Sequence, residues 1–117
     1  MITFRLIRED LNAISEISQF ELSNGEDVTL KLQMLTSYDN QPYYLVGTET
    51  IIVELPSGLI TPVTKTPTID STNKSIISVS LSDTETANII SGHIKVTITA
   101  GTITRIAKRE NILRRNV

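Results

Sequence analysis

The chain has no cysteine and no tryptophan, a single histidine, and only five glycines and four prolines in 117 residues. Without cysteine there is no disulfide and no thiolate, so the fold must stand on packing and backbone pairing. With one histidine besides, the usual zinc ligand sets cannot be assembled. Any nucleophile–base–orienter triad would have to use His93, which opens a strand just after Gly92 and belongs to its polar side. The glycines are dispersed, each with a turn to serve, and no glycine-rich phosphate loop exists. Loop carboxylates are available at Glu26, Asp27, Asp39, Asp70, Asp83 and Glu85, but none follows the spacing of a calcium loop. No apolar run approaches the length needed to cross a bilayer as a helix. Charge at Arg5 and Arg8 to Asp10 breaks up the N-terminus, which therefore has no signal-peptide core. The expectation is a soluble protein with no export signal of its own, no catalytic residues, no metal and no cofactor.

What the chain does have is strand chemistry. Ile, Val, Thr and Ser dominate and Ala is scarce; side chains branched at Cβ are stiff at χ1 and suit a pleated, half-buried surface. Four runs alternate with period two, the mark of strands with one dry face. Val28, Leu30, Leu32 and Met34 share one side of the first, and Ile51, Val53 and Leu55 one side of the second. Ile77-Ser78-Val79-Ser80-Leu81-Ser82 and His93-Ile94-Lys95-Val96-Thr97-Ile98-Thr99 alternate without a break. Turn residues separate them at Ser23 to Asp27, Asp39 to Pro42 and Pro56-Ser57-Gly58. Ala100-Gly101 predicts a tight hairpin, with Gly101 placed to take positive φ.

Elsewhere the pattern changes. Ser82-Asp83-Thr84-Glu85 matches a capping box, which predicts a helical turn over 83–88 that crosses between sheets, with Gly92 as its stop and Ile89 or Ile90 in the core. Residues 1–10 read as an edge strand or an N-terminal arm; Leu11, Ala13, Ile14 and Ile17 fit a helix nearly as well as a strand, and 14–22 is read as one strand. Pro62 and Pro67 confine any strand over 60–69 to an edge or break it. The last strand is expected over 102–109, with a bulge because Ile103 and Ile106 differ in parity. Seven to nine short strands at this spacing predict an all-β, immunoglobulin-like β-sandwich, one domain over 1–117 that buries roughly two-thirds of its unfolded surface.

Two surface features invite partners. From residue 105 the chain holds Arg105, Lys108, Arg109, Arg114 and Arg115 against Glu110, a net +4 that leaves −6 for the rest of a chain totalling −2. Such a basic C-terminal strand or tail, 105–117, can dock on an acidic neighbour; nucleic acid is the less favoured partner, since stacking aromatics are few. Tyr43-Tyr44 offers amphipathic rings suited to an interface or, more weakly, a glycan; one of the two is expected to pack into the core. Asn73-Lys74-Ser75 matches the glycosylation triplet, read here as chance.

The order of Phe20 to Leu32, Asp39 to Thr48, Ile51 to Gly58, Ile77 to Leu81 and Ile89 to Val96 resembles the immunoglobulin-like domains of tailed-bacteriophage virion proteins, of the baseplate upper protein N-terminal type. The resemblance spans about Phe20 to Thr99. It implies a non-enzymatic structural part of a virion (accessory capsid, neck, tail or baseplate), made in the bacterial host cytoplasm. The partners implied are other virion proteins or copies of the chain itself, met by terminal arms suited to strand addition. The second reading is a cell-surface adhesin or carbohydrate-binding module that uses the Tyr43-Tyr44 loop.

Overall fold

A computed structural model describes the backbone of residues 2–10, 13–17, 20–22 and 27–114, and the side chains of 2–8, 14, 16–17 and 27–107. Among these, the chain order is β1 (Ile2–Asp10), β2 (Ala13–Ile17), β3 (Phe20–Leu22), β4 (Val28–Thr36), β5 (Thr50–Leu55), β6 (Val63–Lys65), β7 (Thr68–Ile69), β8 (Ile76–Leu81), α1 (Asp83–Asn88), β9 (Gly92–Ala100) and β10 (Ile103–Arg114). The strands form two five-stranded sheets, β2-β1-β4-β8-β7 and β3-β10-β9-β5-β6. All neighbours are antiparallel except β3, which lies parallel to β10. The architecture is an all-β, immunoglobulin-like β-sandwich with one short helix.

Alternation in the sequence becomes the division between core and surface. Leu30, Leu32 and Met34 of β4 and Ile77, Val79 and Leu81 of β8 face Ile51, Val53 and Leu55 of β5 and Ile94, Val96 and Ile98 of β9. All are buried. At roughly 1.5–3 kcal/mol for each fully buried aliphatic side chain, this double row is the main favourable term in folding. Strand register keeps it aligned: Leu32 sits opposite Ile77, and Val53 opposite Val96.

The N-terminal third departs from expectation. Residues 2–10 are neither an arm nor an edge; β1 lies between β2 and β4, and Ile2, Phe4 and Leu6 enter the core. The charges at Arg5 and Arg8 sit at positions of opposite parity to Ile2 and Phe4 or beyond the core's end, so they do not oppose burial. The single strand expected over 14–22 is two: β2 hydrogen-bonds to β1 in one sheet and β3 to β10 in the other, so the chain changes sheets between them. The proline-bearing stretch similarly splits into β6 and β7, on the edges of different sheets. Those two splits bring the strands to ten.

The last strand runs from Ile103 to Arg114, and its register against β9 is continuous from Ile103 to Glu110. The bulge falls between Glu110 and Ile112, opposite His93 and Gly92, not near Ile103. Ile103 and Ile106 need no bulge, because both are exposed: one beside the hairpin turn, the other on the outer face. That turn uses Gly101 and Thr102, with Gly101 at φ +62°. Positive φ at the first central residue matches the primed turns that fit strand twist.

The capping box forms as predicted. The Ser82 hydroxyl accepts from the Glu85 amide at 3.2 Å, and the Glu85 carboxylate accepts from the Ser82 amide at 2.9 Å. The Asp83 amide donates to Asp27 at 2.7 Å, and Lys65 Nζ reaches Glu85 at 2.9 Å, so the helix is fastened to the start of β4 and to β6. It carries the chain from β8 in one sheet to β9 in the other, with Ile89 buried and Ile90 exposed. The helix closes at Ile89, not at Gly92; Gly92 instead begins β9, where a Cβ would stand 3.2 Å from Pro56 Cβ.

Candidate functional site

Strand direction sorts the loops into two groups. β1, β5, β8 and β10 run in one sense and β4 and β9 in the other, so the loops 37–49 and 70–75 and the Gly101-Thr102 turn share one end of the sandwich. The loops 56–62 and α1 share the opposite end.

At the first end the long loop is tied down along its length. The Thr36 amide donates to the Gln41 carbonyl and the Asn40 amide to the Thr36 carbonyl, each at 2.9 Å, while the Thr36 hydroxyl bonds the Asp39 carboxylate. Asn40 takes φ +56°, a left-handed conformation that Asn tolerates better than most residues. Further on, the amides of Tyr43 and Leu45 donate to the carbonyls of Met34 and Lys74, both at 2.9 Å. The Glu49 carboxylate accepts from the amides of Val46 and Gly47 at 2.9 and 2.8 Å. Partial burial pushes the Glu49 carboxyl up, but those amides together outweigh it and hold its pKa below the ordinary value. In the neighbouring loop the amides of Asn73 and Thr72 do the same for Asp70.

These bonds sort the side chains of the loop. Leu45 is buried and Tyr43 packs against the core, whereas Tyr38 is 99% exposed, Tyr44 63%, and Val46 is largely exposed too. At the opposite end, the Gly58 amide donates to the Asn88 carbonyl and the Ile90 amide to the Pro56 carbonyl, both at 3.0 Å. That pairing holds Leu59, Ile60 and Ile90 out in solvent. Tyr38, Val46, Leu59 and Ile60 were not singled out from sequence. The available signal was the position of large apolar residues beside turn formers, as in Pro56-Ser57-Gly58-Leu59-Ile60.

Four positions of the basic tail lie along β10. Arg105 is half-buried at an inward register position, opposite Ile98. Lys108, Arg109 and Arg114 follow along β10, which at about 3.4 Å per residue spreads them over some 20–30 Å. Their side chains and all of Arg115 lie outside the described residues. His93 is exposed and lines a hollow of about 320 Å³ with Glu54, Leu55, Pro56, Pro62 and Lys95. Among the described residues no three His, Asp or Glu side chains converge as a metal set. In the Asn73-Lys74-Ser75 triplet, the Ser75 hydroxyl donates to Asn73 Oδ1 at 2.6 Å.

No protein-family model matches the chain. No curated protein matches it either. Among solved structures, it is similar to domains 4 and 5 of the S-layer protein SbsC, with 16% identity and a TM-score of 0.30. That alignment covers 97% of this chain and 54% of the S-layer chain, so the protein spans about half the length of that neighbour.

Proposed function

We propose that this domain is a non-enzymatic structural component of a bacteriophage particle, an accessory capsid, neck or tail/baseplate protein. It is made in the host cytoplasm and works through contacts with other virion proteins or with copies of itself. The observation that supports this reading is the pair of apolar groups held in solvent on hydrogen-bonded loops, Tyr38, Tyr44 and Val46 at one end and Leu59, Ile60 and Ile90 at the other. Large apolar side chains on pre-ordered backbone lose little entropy on docking, which is what interface anchors need. The resemblance of Phe20 to Thr99 to virion immunoglobulin-like domains supplies the kind of particle. Because β1 and β10 are ladder strands, the reading moves the contact surface from terminal arms to the ends of the sandwich.

The test replaces Tyr38, Tyr44 and Val46 together with serine and follows the protein into purified particles by mass spectrometry. The expected result is an unchanged thermal midpoint and loss of the protein from particles. Incorporation at the wild-type level would overturn the assignment of this end, and absence of the wild-type protein from every particle would overturn the reading itself.

A further inference from the structure

Three polar residues are buried among the described residues, Gln33, Ser75 and Thr86, and two of them are bonded to each other. Gln33 Nε2 donates to the Ser75 hydroxyl at 3.1 Å, and that hydroxyl donates to Asn73 Oδ1 at 2.6 Å. On the other side Arg5 Nε donates to Gln33 Oε1 at 2.8 Å, because the β1–β4 register sets Arg5 opposite Gln33. The result is a relay of four side chains, Arg5–Gln33–Ser75–Asn73, from β1 through β4 into the loop 70–75. Its neighbours in the sheet are aliphatic: Ile76 stands opposite Gln33 and Leu35 follows it on the same face, both buried. Replacing both partners of a buried hydrogen bond by apolar groups can be nearly neutral for stability. What a satisfied polar chain adds is one fixed arrangement of the backbone it holds.

The backbone held here is that of Lys74 and Ser75. The Ser75 carbonyl accepts from the Met34 amide at 2.7 Å, and the Met34 carbonyl accepts from the Tyr43 amide at 2.9 Å. The Lys74 carbonyl accepts from the Leu45 amide at 2.9 Å. Residues 74 and 75 therefore seat both flanks of Tyr44, one directly and the other through Met34. Inside the loop, Asp70 Oδ1 accepts from the Thr72 and Asn73 amides, and Asn73 Oδ1 from the Ser75 amide at 3.1 Å. Those bonds shape the loop from within, whereas the Gln33 side chain ties it to β4 and, through Arg5, to β1.

We infer that Ser75 is the positioning residue of the end that carries Tyr38 and Tyr44: the relay fixes the backbone of 74–75, and that backbone holds Tyr44 in the place from which it docks. The inference rests on the reading of that end as a contact surface. Loop segments open with free energies that start near zero, so a lost buried bond moves a sizeable share of the loop out of its docking arrangement. Apparent affinity falls with the share that remains competent.

The full chain is compared with Ser75→Ala, Gln33→Met, the double variant and Arg5→Met by amide hydrogen exchange, with the β5–β9 ladder as internal reference. Ser75→Ala and Gln33→Met should each speed exchange at Tyr43 and Leu45 by roughly tenfold, with the reference amides unchanged. The double variant should exchange there no faster than the faster single one, since the two residues act through one bond. Should a buried variant fail to fold, Arg5→Met, at a half-buried position, decides the matter by the same measurement. In particles assembled from equal amounts of wild-type and Ser75→Ala protein, the wild type should outnumber the variant by about fivefold or more. Wild-type exchange at Tyr43 and Leu45 in the folded variants overturns the inference. So does exchange that rises equally along the reference ladder, which is plain loss of stability, or equal incorporation despite faster exchange. Absence of both forms from every particle overturns the reading on which the inference rests, while the exchange pattern still decides the relay.

Discussion

Two glycines show how differently a single methyl group can act. Gly101 sits at φ +62° with nothing within 4 Å of a built Cβ, so Gly101→Ala meets conformational strain alone, about 1–2 kcal/mol. At Gly92 a methyl group would meet both Cβ and Cγ of Pro56, at 3.2 and 3.3 Å, where the proline ring lies against the start of β9. Gly92→Ala is therefore expected to lower the unfolding free energy by more than Gly101→Ala does, as measured by urea denaturation of the two variants side by side. Glu85 gives a pH-dependent counterpart. The Ser82 amide, followed by Lys65, holds its carboxyl below the ordinary value. The unfolded state therefore takes up the proton first, so stability from Glu85 is fully present above the ordinary carboxylate value and is lost as pH falls from there through the lower value that the carboxyl has in the folded protein. Glu85→Gln should flatten the drop in thermal midpoint between neutral and acid pH, and an unchanged drop would assign it to Glu49 and Asp70 instead.

Among the elements, β1 was the hardest to read and has the clearest test. Its inward positions, Ile2, Phe4 and Leu6, were visible in the sequence, but period two says nothing about which strand lies alongside. Deleting residues 2–10 would remove the strand between β2 and β4 and leave Leu32 and Met34 without that neighbour. The truncated chain is expected to lose its cooperative thermal transition by circular dichroism, whereas loss of a mere arm would leave it in place. The four central strands and the helix were legible because each rests on local signals, an unbroken alternation or a capping box. The sheet changes at β2–β3 and β6–β7 were not, since they depend on partners distant in sequence. The bond between Arg5 and Gln33 was hidden for the same reason: the two are ordinary polar positions until the β1–β4 register sets them opposite each other. Tyr43 and Tyr44 could be parted in advance only as a pair with one member inside, because loop hydrogen bonds, not parity, decide which.

For the whole molecule, the important contrast is between its sides and its ends. Along one side β2 and β3 pass the chain from sheet to sheet; along the other, β6 and β7 are only three and two residues long and are flanked by prolines. Such short, proline-bracketed edges resist templating by another strand. The apolar groups at the two ends differ in composition, so contact of one with the other is heterologous, and from opposite ends of the sandwich it adds copies in a line. Concentrated protein is expected to show a weight-average mass that climbs steadily with concentration in sedimentation experiments, and Leu59→Ser with Ile60→Ser should halt the climb. A plateau at the dimer mass would point to a self-complementary contact at one end.

The shared sense of β1 and β10 has a mechanical consequence. Ile2 lies at the end that carries Tyr38 and Tyr44, and Arg114 at the end that carries Leu59 and Ile60. A force pulling these two residues apart acts along the strands, so the ladders joining β1 to β4 and β10 to β9 are stretched in shear, with many hydrogen bonds strained together and none peeled first. A domain strung in that direction would resist extension far better than one pulled across its strands.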